Sequence, residues 1–362
     1  MIVLGAALFG MVLSGSVAFA QALQVKSSSK GEKVPWRGSA LTYITTVSAL
    51  SFAQNGQNSY DPYYGMSLMF MPRWWFTDNL YARLLFTLDI ELTEANNQNG
   101  SRRLTMSDTF FDWVWTDKRL TIPVAKIRVT PSLRFLLPTS SWLYNRNLIL
   151  GIGPGLALSR GFKLRKGKWF SGLSVSASTR VIKEFHRYNT ASINGDKCTF
   201  SPTAGADFGG CSQTGGLNRS WRFLNAVSLG VQIHPKWSFG MTAFFINDVT
   251  YGMKGTESLP NNPNISVPEA GAFFRPFSIW SMMSVTYTAA SWAYIGLGVQ
   301  SFHSIRKPNT DFRQPLFNNA TSFYLSFTVP IAQAIKAAFG SNDSTKKKVS
   351  KSDNKDQTRP QS

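Results

Sequence analysis

Long apolar runs are what this chain most plainly lacks. Beyond residue 20 no stretch reaches the about 18 consecutive apolar residues that a membrane-spanning helix needs, which argues against a helical membrane protein. Charge is scarce as well. Asp, Glu, Lys and Arg make up 16% of the 362 residues, against roughly a quarter in ordinary soluble domains. Acid is scarcer than base, 19 residues to 38, for a formal charge of +19. The bases are spread over expected turns, strand interiors and both tails, so no single stripe favours nucleic acid. The three histidines, His186, His234 and His303, are far apart and without metal-ligand spacing, so neither a metal nor a cofactor is expected. The only two cysteines, Cys198 and Cys211, fall in one long polar stretch. In an oxidising compartment they are expected to form a disulfide worth roughly 3 kcal/mol, with two free thiols as the alternative.

What remains is a chain rich in aromatics, 14%, and near neutral in mean hydropathy, −0.11. Such an average arises when apolar positions facing lipid alternate with polar positions facing a lumen. At the N-terminus, residues 2–12 are apolar but too short to span a bilayer, and Ala18-Phe19-Ala20 supplies an A-x-A cleavage pattern. Residues 1–20 therefore read as an export signal, although no Lys or Arg precedes the apolar run; a retained anchor is the alternative. Residues 21–37, rich in Ser and Lys, read as a disordered lead-in.

From residue 38 to 331 the sequence repeats stretches of alternating character. The clearest is 80–92, where Leu80, Ala82, Leu84, Phe86, Leu88 and Ile90 oppose Tyr81, Arg83, Leu85, Thr87, Asp89 and Glu91. Alternation puts those sets on opposite faces of a strand, whereas a helix would scatter both. Twelve such segments are expected, over 42–52, 66–76, 80–92, 109–115, 127–135, 148–159, 173–180, 227–233, 237–245, 277–288, 295–300 and 323–329. Ten or fourteen strands are the alternatives. The links between them alternate in length. Short ones fall at 77–79, 116–121, 161–168, 234–236 and 288–291, and mostly longer polar ones at 54–63, 94–108, 138–146, 187–221, 247–274 and 304–316. Short turns at one end and long loops at the other are the habit of a transmembrane antiparallel β-barrel. Tryptophans and phenylalanines stand near strand ends (Trp74, Trp75, Phe76, Trp113, Trp115, Trp169, Phe170, Trp237, Trp280, Trp292), as interfacial girdles require. Pro72, Pro131 and Pro154 fall within strands and are expected to mark bulges or strand boundaries.

On this architecture, and on Leu137-Pro138-Thr139-Ser140 at the close of the fifth strand, residues 38–330 resemble the bacterial outer-membrane β-barrel, porin-like channel proteins. The resemblance implies a Gram-negative outer-membrane location, both termini in the periplasm, and outer-membrane lipid, lipopolysaccharide and the barrel-assembly machinery as partners. The sequence departs from that pattern at its end. A terminal aromatic strand is usual, but here residues 332–362 follow, a short helix and then a charged periplasmic tail.

Charged side chains facing lipid at mid-membrane would cost about 2–4 kcal/mol each, so those within strands should point inward. The candidates for a lumen constriction are Arg73, Arg83, Asp89, Glu91, Arg128, Arg134 and Arg180, with Asp112 beside them. Base exceeds acid in this set, which favours a passive channel for small solutes with a mild anion preference. A salt-bridged, closed barrel acting through its surface loops is the alternative. Inward Met69, Met71, Trp75 and Trp280 leave room for a third reading, a slot for apolar or aromatic solutes. A surface hydrolase would need a histidine and a serine on one face. His303 and Ser304 are adjacent and so lie on opposite faces, and no enzyme activity is expected.

Overall fold

The computed structural model describes residues 34–49, 63–93, 103–164, 169–187, 189, 217–252, 257–259, 262–267, 271–304, 311–318 and 320–339. Among them twelve strands form one closed antiparallel barrel. In chain order they are β1 (Ala40–Ser48), β2 (Tyr64–Met71, continued past Pro72 by Arg73–Trp75), β3 (Leu80–Glu91), β4 (Arg103–Met106 and Thr109–Trp115), β5 (Ile127–Leu137) and β6 (Leu148–Lys163), followed by β7 (Gly172–His186), β8 (Arg219–His234), β9 (Trp237–Thr250), β10 (Phe274–Ala290), β11 (Ala293–Ser304) and β12 (Thr321–Pro330). Each pairs with its chain neighbours. The barrel closes where β12 returns to β1, in register from Ala40 opposite Pro330 to Ser48 opposite Ser322. Closure leaves no row of unpaired N–H and C=O groups at an edge, which is what such a chain needs in a medium without water.

Period-two alternation carries directly into burial. On β12 Phe323, Leu325 and Phe327 are exposed outside, while Tyr324, Ser326 and Thr328 are buried inside. On β3 the sets separate as the alternation predicts, with Tyr81, Leu85, Thr87 and Asp89 buried. The links at one end are tight. Thr77 Oγ1 accepts the amides of Asn79 and Leu80 at 3.2 and 3.0 Å, and Asp117 Oδ1 accepts Arg119 N at 2.9 Å. The other end carries the long connections. The described parts of these include 138–147, holding the short helix α1 (Ser141–Asn145), a two-stranded hairpin of Glu257–Leu259 with Asn262–Val267, and 311–318. After β12 the chain turns at once into helix α2 (Ile331–Phe339) at the turn end, with Ile331 N donating to Ser39 O at 2.9 Å.

An aromatic girdle rings the turn end, where Trp74, Phe76, Trp113, Trp115, Trp169 and Trp237 are exposed and Phe76 stacks on Trp113 at 5.5 Å. Two of the aromatics read both as girdle residues and as lining of an inward slot do point inward. Trp280 is buried in the interior, and Trp75 donates its indole N–H to Arg37 O at 2.9 Å with the Arg37 guanidinium 4.1 Å from its ring. Of the prolines, Pro72 interrupts its strand as expected, whereas Pro131 and Pro154 mark neither a bulge nor a boundary. Pro131 pairs with Leu156 and Pro154 with Leu133 in unbroken register, and Arg73 beyond Pro72 keeps the register of Phe70 against β3. Each proline gives up one ladder hydrogen bond without bulging its strand. The register shifts lie near strand ends, at 185/186, 219/221, 232/234, 246/248 and 288/290. Of the lead-in at 21–37, only Val34 onward is described. There the chain turns onto the barrel, and Pro35 O accepts Trp75 N at 2.7 Å. The export signal, the Cys198–Cys211 pair and the charged tail beyond residue 339 lie outside the described residues.

Candidate functional site

The interior has two walls of different chemistry. One runs over β10, β12, β1, β2 and β3, where Trp280, Met282, Tyr324, Ala40, Ile44, Met69, Met71 and Leu85 form one buried apolar cluster, with Phe110, Phe244 and Phe302 packed against it. Tyr324 reaches across β11 because residue 298 is glycine. A Cβ there would sit 2.4 Å from the phenol ring. The inward residues of this wall are packed against one another rather than bathed by water; Met282 is 1% exposed. Of the expected apolar slot, Met69, Met71 and Trp280 are thus occupied by mutual packing, and Trp75 lies apart from them against Arg37 and Tyr81.

The second wall spans β5 to β8. Its inward positions are small: Ser132, Gly155, Ala157, Ser176, Ser178 and Ser228, half-buried or exposed. These small side chains, towards the turn end, fill less of the interior than the long ones of the opposite wall.

Where the two walls meet, one carboxylate gathers three guanidinium groups. The register sets Asp112 on β4 opposite Arg83 on β3 and Arg134 on β5. Arg134 donates from Nε and Nη2 to the two Asp112 oxygens at 2.6 and 2.8 Å, and Arg83 Nη2 donates at 2.6 Å. Arg180, two strands further on, lies 3.5 Å from Asp112 Oδ1 and donates to Ser132 Oγ at 3.0 Å. Its path is opened by Gly155, where a Cβ would come within 2.8 Å of Arg180 Nε. That Nε finds no hydrogen-bond partner among the described residues. Three cations on one anion leave a local excess of positive charge. Arg73, opposite Arg83 in register and 4.5 Å over the Tyr81 ring, adds to it.

At the loop end lies a second network, close to charge-balanced. Arg219 Nε donates to Glu184 Oε2 at 3.1 Å, and Arg222 donates to both oxygens of Asp248 at 2.9 and 3.1 Å. His186 Nε2 stands 3.3 Å from Glu184 Oε2, and its Nδ1 meets Arg146 O at 2.9 Å. Arg146 O also accepts Asn218 Nδ2 at 3.0 Å. These bonds hold the 138–147 connection against the inner wall. Leu143 packs on Leu136 and Leu148, Trp142 lies under the guanidiniums of Arg146 and Arg219, and Ser140 is hydrogen-bonded to Asp108.

Of the residues expected from sequence, Arg83, Arg134 and Arg180 therefore converge on Asp112. Asp89 is inward and buried but lies nearer the loop end, where Ser67 Oγ donates to it at 2.5 Å; Glu91 shares its face. Arg128 shares the inward face of β5 but stands exposed near the turn end, opposite Ser159. Glu184, Arg219, Arg222 and Asp248 were missed because the expected strands stopped at Arg180 and Phe245 and resumed only at Val227. Carrying the alternation two steps beyond Arg180 reaches Glu184. His303 and Ser304 are on opposite faces as expected: His303 is outside and buried, its ring nitrogens on the carbonyls of Ser304 and Pro315 at 2.7 and 3.4 Å.

The chain matches no family model and no curated protein. Among solved structures it is similar to a NanC porin (TM-score 0.41, 9% identity, 80% of this chain and 98% of that one). It is also similar to the COG4313 outer membrane channel from Pseudomonas putida F1 (0.42, 10%, 83% and 98%) and to a KdgM porin (0.37, 6%, 80% and 98%). At these identities the likeness is one of architecture only.

Proposed function

We propose that the protein is an outer-membrane barrel that passes small solutes passively and favours anions, with both termini in the periplasm. The observation that carries this reading is the uneven charge around Asp112. One carboxylate is already saturated by Arg83 and Arg134, and Arg180 is surplus beside a wall of Gly and Ser. A guanidinium so placed attracts a passing anion without holding it, since its competing partner is 3.5 Å away. The outer surface supports the membrane location: many outward positions hold exposed apolar side chains, such as Leu297, Phe323, Leu325 and Phe327, and the girdle lies at the turn end. Steady openings of the refolded protein in a planar bilayer under a KCl gradient, with an anion-selective reversal potential that weakens in Arg180→Gln, are the expected result. A silent barrel, shown to be folded by heat-modifiable gel migration, would sink the proposal.

The closed-lumen reading has its own support. The apolar cluster and the 138–147 connection both fill interior space, and the mouth network ties the second in place. Silence in the bilayer, restored to conduction by deleting residues 139–146, would favour it.

A further inference from the structure

Outside the barrel, the outward face of β10, β11 and β12 changes character along its length. Towards the turn end their outward residues are apolar and exposed, as with Val285, Leu297, Phe323 and Leu325. One step above Phe323 the outward row becomes Ser281, Ser301 and Thr321, which are register partners across the three strands. Hydroxyls at that position would meet lipid or headgroups, yet Ser301 is 0% exposed. Residues 311–318 lie over them as a strap. Asn318 Nδ2 donates to Ser301 Oγ and to Gln314 O, each at 2.8 Å, and its backbone N donates to Thr321 Oγ1 at 2.7 Å. Thr321 Oγ1 in turn donates to Leu316 O at 2.9 Å, and Ser281 is hydrogen-bonded to Pro315 O. Asn318 and the carbonyls of Pro315 and Leu316 are spent on the wall, and two large aromatics are left exposed: Phe312 at 69% and Phe317 at 59%.

Elsewhere at the loop end, outward aromatics come from the strands themselves, as with Phe185, Trp221 and Phe274. Above Phe323, β11 and β12 supply none. We infer that the strap completes the girdle there: Phe312 and Phe317 seat in the acyl–headgroup boundary of the leaflet at the loop end, and the Ser281–Ser301–Thr321 row exists to pin them at that depth. The occupant of this surface is lipid, because the strap continues an outer wall whose neighbouring residues already face lipid; this rests on the membrane reading above. Aromatic rings are favoured at that level because they are amphipathic in shape and tolerate both phases.

Spin labels attached through p-acetylphenylalanine at position 312, 317, 297 or 124 leave Cys198 and Cys211 untouched, and power saturation in liposomes reads their depth. Positions 312 and 317 are expected to collide with oxygen more than with an aqueous nickel chelate, and to lie shallower than position 297. Readings equal to those at position 124, on an exposed turn, would overturn the inference, as would dipolar broadening between copies, which would make the strap a barrel–barrel contact. If position 297 itself reads aqueous, the membrane reading fails instead. Should a labelled variant not fold, hydroxyl-radical footprinting of the unmodified protein in liposomes decides. Protected Phe312 and Phe317 support lipid contact, and oxidation as rapid as at Val124 refutes it.

Discussion

The packed wall and the small-residue wall of this barrel are built from strands of the same alternation, and they differ only in what the inward positions hold. On β10, β12 and β1 to β3 those positions hold Trp, Met, Tyr and Leu that touch one another. Towards the turn end of β5 to β8 they hold mostly Gly, Ala and Ser, with Arg180 lying over Gly155. Larger side chains such as Leu136, Ile182 and Glu184 come only nearer the loop end. A barrel of twelve strands encloses more space than one row of side chains needs. Filling one side and leaving the other sparse narrows the lumen and moves it off the axis. On the channel reading proposed above, it also separates two duties, with cohesion on one wall and passage and charge on the other.

That division can be broken in graded ways. The largest effect is expected from Asp112→Ala, which strands three inward guanidiniums; removing one partner of a buried ion pair costs about 3–5 kcal/mol, read as a lower urea midpoint for unfolding from vesicles. Met282→Ala, on the packed wall, should lose about 2–5 kcal/mol by transfer and cavity terms, with little change in single-channel current. Ser178→Val, on the sparse wall, should do the reverse, changing stability by no more than about 0.5 kcal/mol while lowering conductance. If Ser178→Val leaves conductance alone and Met282→Ala raises it, passage runs along the other wall. The smallest change is expected from Arg180→Gln. Its stability should be close to wild type, since its ion pair is 3.5 Å long, and its signature is a reversal potential moved toward non-selective.

Much of this was legible in the sequence because a strand's two faces are written as alternate residues. The strand number, the inward set on β3 and the rhythm of short turns and long connections all follow from that period. So does the inward placement of Arg83, Arg134 and Arg180. The features that escaped have no period. The 138–147 connection turns inward through bonds from His186 and Asn218 to a single backbone carbonyl, and the strap lies outside through Asn318. Neither choice leaves a mark in residue spacing. Asp112 stood as one acid in Thr-Phe-Phe-Asp-Trp-Val-Trp. Its importance comes from the neighbours that strand register gives it, and register between strands is not read from one strand alone.

The seam where β12 meets β1 sets the order of events as the chain folds. The Asp112 network joins β3, β4, β5 and β7, strands close along the chain that can be laid down hairpin by hairpin. The seam bond between Thr42 and Thr328, 3.0 Å long, joins residues 286 positions apart. As a direct closure of the free chain that contact would carry a large entropy cost, so it is expected to form only after the intervening hairpins have shortened the effective loop. The cylinder is therefore expected to exist first as an open, curved sheet with its ionic cluster already formed. Its last and slowest act is the meeting of the first strand with the final one.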